Sequence, residues 1–433
     1  MLASRSKKIE PMKKFSPKQS ESCKMKKVLK ILMQMSKLFF VVLLFWIFNS
    51  CDKNSDIDPS QGLAFDKDKI DETFISMYQL YPSKLIQKSN EPYVIPINEK
   101  SLPQTYSYYS DTRDIDDWME KTQTTALIVI KDDTIKYEQY FRKHSENEKH
   151  IAFSVSKSYI SLLIGIAVEN GFINSINDNA EKYVPNLIGS GYEGSRIKDI
   201  LQMSSGVKFD EDYSNPNSDV NKMSEAADTG SINEFLKTLN REKPTGTYHQ
   251  YKSADTQVLA WILASATGKS ITELTQQYIW EPLGMENDGY WLVDSVETEL
   301  GYGGLNATSR DFAKLGLLYL NNGQNYKGKQ IVLEEWIKNS YTTDGSHIEP
   351  GTSNNSNSSS PLGYGYQFWI VPTLSGPIVD YLAIGIYGQF IYINREKKIV
   401  IVKNSAYYDY NNSGEDMETE AFFALRSIAN TIE

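Results

Sequence analysis

Ile151-Ala152-Phe153-Ser154-Val155-Ser156-Lys157, running without a break into Ser158 to Gly171, is the stretch on which the fold turns. An extended apolar approach leads to Ser154. After it come Tyr159, Ile160, Leu162, Leu163, Ile164, Ile166, Ala167 and Val168, too dense a run for one surface stripe. The density predicts a helix buried nearly all round, and Asn170-Gly171 supplies its stop. Ser154 then lies at or near the helix N-terminus.

Lys157 is three residues on, one turn away and on the same face, which brings an amine within reach of a serine hydroxyl. Free backbone N–H groups and the positive end of the helix dipole surround both. Dipole and apolar shell disfavour an ammonium, so Lys157 can be partly neutral near pH 7 and act as a base. The same N–H groups favour a developing oxyanion. A serine at a helix start is also an ordinary N-cap, so the rest of the chain must decide between the two readings.

The chain has 433 residues, enough for one large domain or two ordinary ones, and its 40% apolar and 12% aromatic content suits a folded globular protein. The formal charge of −10 hides an asymmetry. Residues 1–51 hold eleven Lys/Arg against two Asp/Glu, which leaves −19 on the remainder. A body this acidic argues against nucleic-acid binding. The two cysteines, Cys23 and Cys51, both fall in the basic leader. The body therefore offers no thiol for a disulfide, cluster or nucleophile, and its four histidines show no zinc-ligand spacing. No metal or cofactor is expected.

Residues 1–37 are Lys-rich, and Leu38 to Phe48 is an apolar run too short to span a bilayer comfortably but typical of a signal-peptide core. With Asn49-Ser50-Cys51 it resembles a bacterial lipoprotein signal, which implies a lipid on Cys51, export and a place in the cell envelope, held to a membrane. Met25, Met33 and Met35 are alternative starts. Residues 52–111 read as a tether and irregular extension, with an amphipathic helix over Asp66 to Tyr81 and prolines at 82, 92, 96 and 103. The main domain is expected over 112–433. It opens with a hairpin, Thr125 to Ile130 and Thr134 to Phe141 about Lys131-Asp132-Asp133. Helices are predicted at Ile197 to Met203, Ser231 to Leu239, Ala254 to Thr267, Ile271 to Trp280, Thr308 to Leu320 and Asp416 to Ile432. Strands are predicted at Tyr364 to Val371, Tyr381 to Ile386, Gln389 to Asn394 and Ile399 to Lys403. Strands at both ends and helices between predict an α+β fold: one antiparallel sheet flanked by helices, with an inserted mainly helical lobe and a cleft between them.

Two further elements join the Ser154 helix. Pro244 to Thr256 carries Tyr251-Lys252-Ser253, a turn that delivers Tyr251 to the start of a helix, where it could face Lys157. If a nearby cation lowers its pKa, such a tyrosine is a proton shuttle. Gly385-Ile386-Tyr387-Gly388-Gln389-Phe390 lies in the terminal strands, and its glycines admit a close backbone approach. An N–H there could be the second donor of an oxyanion hole.

In order and spacing the three elements resemble the serine β-lactamase and penicillin-binding-protein superfamily, above all the class C β-lactamase-related esterases and 6-aminohexanoate-dimer hydrolases. The family pattern of Ser-x-x-Lys, then Tyr-x-Asn/Ser, then Lys/His-Thr-Gly is matched by Ser154 to Lys157, Tyr251 to Ser253 and Ile386-Tyr387-Gly388. Asp199 to Val207, Gly303-Gly304-Leu305 and Thr308 to Asp311 resemble smaller family signatures. The resemblance implies that Ser154 is the nucleophile, Lys157 its base and Tyr251 the proton relay. It implies that Ser253 bonds Lys157 or substrate, and that the amides of Ser154 and Gln389, beside Tyr387 and Gly388, form the oxyanion hole. The reaction implied is acyl transfer through a serine ester, then hydrolysis. Ile386-Tyr387 stands where relatives that bind a substrate carboxylate carry Lys or His and then Thr, and Ile386 has no charge for that task. A linear amide or ester is therefore expected. A β-lactamase or D-Ala-D-Ala carboxypeptidase is the runner-up, and a non-catalytic sensor on the same fold is the reading from another class.

Overall fold

The computed structural model describes residues 65–350, 362–371, 380–411 and 416–433; the leader and Cys51 lie outside them. The strands are β1 (Ser83–Ile86), β2 (Thr105–Tyr108), β3 (Asp111–Asp114), β4 (Thr124–Lys131), β5 (Thr134–Tyr140), β6 (His150–Ile151), β7 (Gly289–Leu292), β8 (Leu305–Ala307), β9 (Gly363–Tyr364), β10 (Trp369–Ile370), β11 (Asp380–Gly385), β12 (Gln389–Asn394) and β13 (Ile399–Ser405). The helices are α1 (Ile70–Phe74), α2 (Met77–Leu80), α3 (Ile115–Lys121), α4 (Ser156–Glu169), α5 (Ile197–Leu201), α6 (Asp219–Thr229), α7 (Ile232–Leu236), α8 (Ser253–Thr267), α9 (Ile271–Thr275), α10 (Ser309–Leu320), α11 (Glu334–Ser340) and α12 (Met417–Thr431).

Seven strands form an antiparallel sheet in the order β5-β4-β13-β12-β11-β10-β9. The N-terminal hairpin thus joins the C-terminal strands through β4 against β13. Side chains along a strand alternate between faces, and both faces of this sheet are apolar. Ile128, Ile130, Ile391, Ile393, Val400 and Val402 belong to one core with α4, α8 and α10. Leu127, Val129, Phe390, Tyr392, Ile399 and Ile401 belong to a second core with α3 and α12. The result is the expected α+β arrangement, an antiparallel sheet between helical layers, with α4 to α9 inserted between β6 and β7.

The central helix is as its sequence demands: α4 is buried from Ser156 through Ala167, and Gly171 ends it with a φ of +75°. Helix α8 stops at Gly268 in the left-handed conformation, and the Thr308 side chain caps α10 by accepting from the Asp311 amide. Three expectations change. Tyr364 to Val371 is two short strands, because the chain turns between them with Gln367 at a φ of +61°. The helix expected over Asp66 to Tyr81 is two short pieces. Finally, residues 82–111 are not simply irregular: β1 pairs with β7 in a second sheet of order β1-β7-β8-β6, and β2 pairs with β3.

Helix α12 is pinned to the main sheet by charge as well as by packing. Asp380 on β11 is fully buried and accepts from Arg426 Nε at 2.8 Å, Arg426 Nη2 at 3.0 Å and the Tyr392 hydroxyl at 2.8 Å. Removing the guanidinium leaves a buried carboxylate without its counter-charge. Arg426→Met should therefore cost about 3 kcal/mol or more in denaturant-induced unfolding. A loss below about 1 kcal/mol would match an exposed surface pair and contradict this reading.

Candidate active site

The Ser154 turn is held from both sides. Ala152 donates its amide to the Leu305 carbonyl at 2.7 Å, and Phe153–Val155 form a single 3-10 turn into α4. Phe153 adopts a φ of +45°, a conformation that a bulky side chain rarely takes. One helical turn later Lys157 reaches back, so that its Nζ lies 2.7 Å from Ser154 Oγ and donates to the Tyr302 carbonyl, also at 2.7 Å. Lys157 is 2% exposed. Its amine sits 5.1 Å from the centroid of the Tyr251 ring and 5.8 Å from that of Tyr302. Burial pulls its pKa down from 10.5 to about 7, against the opposing charge of Glu211. Near neutral pH much of this lysine is a free amine, able to take the Ser154 proton.

Tyr251 completes the group. Its ring stacks on Trp369, with centroids 5.4 Å apart and planes at 24°. Burial raises its pKa well above 10, and the Ser154 hydroxyl works against that rise. The shift is opposite to the one that a neighbouring cation would cause, because burial and, after it, the charge of Glu211 both disfavour a phenolate. Tyr251 is thus a neutral phenol that can pass a proton, and not a phenolate.

The structure places Ser253 elsewhere than the resemblance implied. Its hydroxyl donates to Glu211 Oε1 at 2.6 Å and its amide to Oε2 at 2.8 Å, whereas the Lys157 amine bonds Ser154 and the Tyr302 carbonyl. Tyr213 also donates to Glu211 Oε1, at 2.6 Å. Glu211 is buried and satisfied at the start of α8, and its charge reaches Lys157, Tyr251 and Tyr302. No pattern in the sequence marks it. The Tyr302 carbonyl escaped sequence reading as well, being a backbone atom, although it adjoins Gly303-Gly304-Leu305.

The third element is displaced. A Cβ on Gly385 would lie 2.6 Å from the Ala152 carbonyl oxygen, so it is Gly385 that lets the end of β11 meet the Ser154 turn. Gly388, with a φ of +87°, sits in the β11–β12 turn instead, and a Cβ there would lie 3.0 Å from Ser405 Cβ. Tyr387 is buried among the rings of Phe65, Phe74 and Phe153. Gln389 begins β12, which lies between β11 and β13; its buried side chain donates to the Ser405 carbonyl at 2.7 Å. The Ile386 amide, just past β11, and the Ser154 amide donate to no described residue. Of the predicted site residues, the structure brings Ser154, Lys157 and Tyr251 together and sets Ser253, Tyr387, Gly388 and Gln389 in supporting places.

A beta-lactamase family profile matches residues 112–425. The chain belongs to the beta-lactamase family. It is 32% identical over 305 residues to the 6-aminohexanoate-dimer hydrolase of Paenarthrobacter ureafaciens, covering 68% of this chain and 76% of that protein. Its fold is similar to that of a Bacillus anthracis protein described as a candidate 6-aminohexanoate-dimer hydrolase, with a TM-score of 0.76 at 22% identity over 88% of this chain and 98% of that one. A family VIII carboxylesterase shares the fold with a TM-score of 0.54 at 15% identity, over 70% of this chain and 92% of that one. This chain is a β-lactamase-fold hydrolase related to 6-aminohexanoate-dimer hydrolase.

The buried amine makes a pH-dependent prediction. Below its pKa Lys157 is an ammonium and cannot accept a proton; above it, the free amine can. The rate at which a fluorophosphonate labels Ser154 should therefore rise as pH climbs through about 7 and level off above it. A rate that is flat from pH 5 to 9 on folded protein would contradict the assignment.

Proposed function

We propose that the chain is a serine hydrolase that forms an acyl-enzyme on Ser154 and acts on a linear amide or ester. The observation that carries this reading is the 2.7 Å approach of a buried Lys157 amine to Ser154 Oγ. Lys157 takes the hydroxyl proton as Oγ bonds to the substrate carbonyl carbon. The developing oxyanion is received by the amides of Ser154 and Ile386, in place of the Gln389 amide expected from the sequence. As the tetrahedral species collapses, the bond to the amine or alcohol breaks. Tyr251 gives its proton to that leaving group and recovers one from the Lys157 ammonium. Water then attacks the serine ester, its proton passing back along the same groups, and releases the acid and free Ser154.

The apolar sequence along the edge of β11 supports the substrate class. Ala383, Ile384 and Ile386 flank Gly385 and carry no charge to bind a carboxylate beside the scissile bond. Lys403 is buried and bonded to the Ser405 hydroxyl, over the Trp118 ring at 5.1 Å. The name of the Paenarthrobacter relative points the same way, to an open-chain amide. Export and a lipid anchor at Cys51, as the leader suggests, would place the enzyme on the cell envelope; detergent partitioning of wild type and Cys51→Ala tests this.

A screen of p-nitrophenyl esters, short linear amides, D-amino-acid peptides and nitrocefin tests the assignment. Esters or linear amides should be turned over, with Ser154→Ala inactive, Lys157→Ala slower by about a thousandfold and Tyr251→Phe slower by about a hundredfold. Nitrocefin turnover with kcat of about 1 per second or more would make the β-lactamase reading the better one. Full activity in Lys157→Ala would exclude the mechanism, and absence of covalent labelling at Ser154 would favour a sensor.

A further inference from the structure

The residue before the nucleophile holds an improbable backbone. Phe153, at a φ of +45°, carries a ring that favours the opposite sign of φ. Such conformations persist only where the surroundings over-determine them. Phe153 opens the 3-10 turn that joins β6 to α4 and carries Ser154, so its conformation bears directly on where that serine points.

What surrounds Phe153 comes largely from outside the family match. Phe74, the last residue of α1, is fully buried, and its ring meets Phe153 edge-on, with centroids 5.0 Å apart. It meets Tyr387 at 5.3 Å and His150 at 5.8 Å, so one side chain touches β6, the Ser154 turn and the β11–β12 turn. Phe65 stacks on Tyr387 at 5.6 Å and lies 6.4 Å from Phe153. Both phenylalanines precede residue 112, where the family match begins. The extension that carries them is tied down along its length: Arg142 Nε meets Asp71 at 2.6 Å, and Lys67 meets Asp409 at 3.8 Å. It continues into β1, which pairs with β7.

We propose that Phe74 is a positioning residue for the nucleophile, holding Phe153 in its left-handed conformation and so setting the aim of Ser154 at the Lys157 amine. The inference rests on Ser154 being the nucleophile, as proposed above. The N-terminal extension then contributes to the chemistry of a site whose reacting groups all lie beyond residue 150. Aromatic edge-to-face contacts suit this task, because they fix ring orientation as well as filling space.

The test pairs Phe74→Leu with Phe153→Gly. Glycine takes a positive φ without support, so in the F153G background the buttress has no strained residue to hold. The readouts are the rate constant for fluorophosphonate labelling of Ser154, and kcat and KM on p-nitrophenyl butyrate. All are taken at a temperature where circular dichroism shows each variant fully folded. In the parent background, Phe74→Leu should lower kcat and the labelling rate about tenfold or more with KM changed less than about threefold, as expected for a misaimed reacting group. In the F153G background the same substitution should change either rate by less than about twofold. Should Phe74→Leu not fold, Phe74→Met is read in the same way. Folded Phe74→Leu that is labelled at the parent rate, merely with a lower unfolding midpoint, would overturn the proposal and leave the serine hydrolase standing. An equal loss in both backgrounds would overturn it too. A parent protein that is not labelled at Ser154 at all would overturn the nucleophile assignment and this proposal together.

Discussion

Taking one amine out of water is the constraint on which the site depends. Lys157 projects from a helix that is buried from Ser156 through Ala167, and among the described residues its amine meets a hydroxyl and a backbone carbonyl but no carboxylate. The Tyr302 carbonyl and the Ser154 hydroxyl suffice for a neutral amine but poorly replace the hydration of a cation. Desolvation therefore dominates, and the group becomes a base near neutral pH. Glu211 is the nearby charge that pulls the other way, and its position is telling. It is engaged by the Ser253 hydroxyl, the Ser253 amide and the Tyr213 hydroxyl, so its charge is already satisfied by donors that leave Lys157 unpaired. The same desolvation keeps Tyr251 protonated, which gives the two groups complementary roles: one accepts a proton readily and the other holds one to pass on.

The groups in this arrangement are far apart in sequence. The 3-10 turn before α4 supplies the hydroxyl and α4 the amine, the turn into α8 the phenol, the β7–β8 connection the carbonyl, and the residue just past β11 an amide that donates to no described residue. They meet because β4 pairs with β13, which closes the N-terminal hairpin onto the C-terminal strands and brings β11 against the Ser154 turn. The apolar character of both sheet faces holds those strands between two helical layers. Precision of the site is therefore a property of the whole sandwich, and the family's signature residues make sense only in that setting.

Much of this was legible in the chain itself. An apolar run as dense as Ser158 to Val168 has few solutions other than a buried helix, and the alternation around Lys131-Asp132-Asp133 admits little besides a hairpin. The Ser154, Lys157 and Tyr251 constellation could be read because helix geometry fixes a three-residue spacing and the resemblance supplied the tyrosine. The misplacements have physical causes. Gly385 and Gly388 are three residues apart on either side of a turn, and only the distant Ala152 carbonyl shows which of them lies against the Ser154 turn. Ser253 bonds to Glu211, forty-two residues away with α6 and α7 between them, a pairing that no local pattern encodes. Residues 82–111 read as irregular because β1 is short and its partner lies two hundred residues on.

The central claim is that Lys157 is a free amine near neutral pH, and its own titration tests this most directly. In protein labelled with 13C at lysine Cε, the Lys157 resonance is assigned by its loss in Lys157→Met and followed from pH 5 to 11. The account predicts a midpoint near 7 for this signal, well apart from the exposed lysines that titrate around the ordinary value of 10.5. A Lys157 signal that titrates with the exposed lysines would mean an ammonium at the pH of function, and would contradict the account.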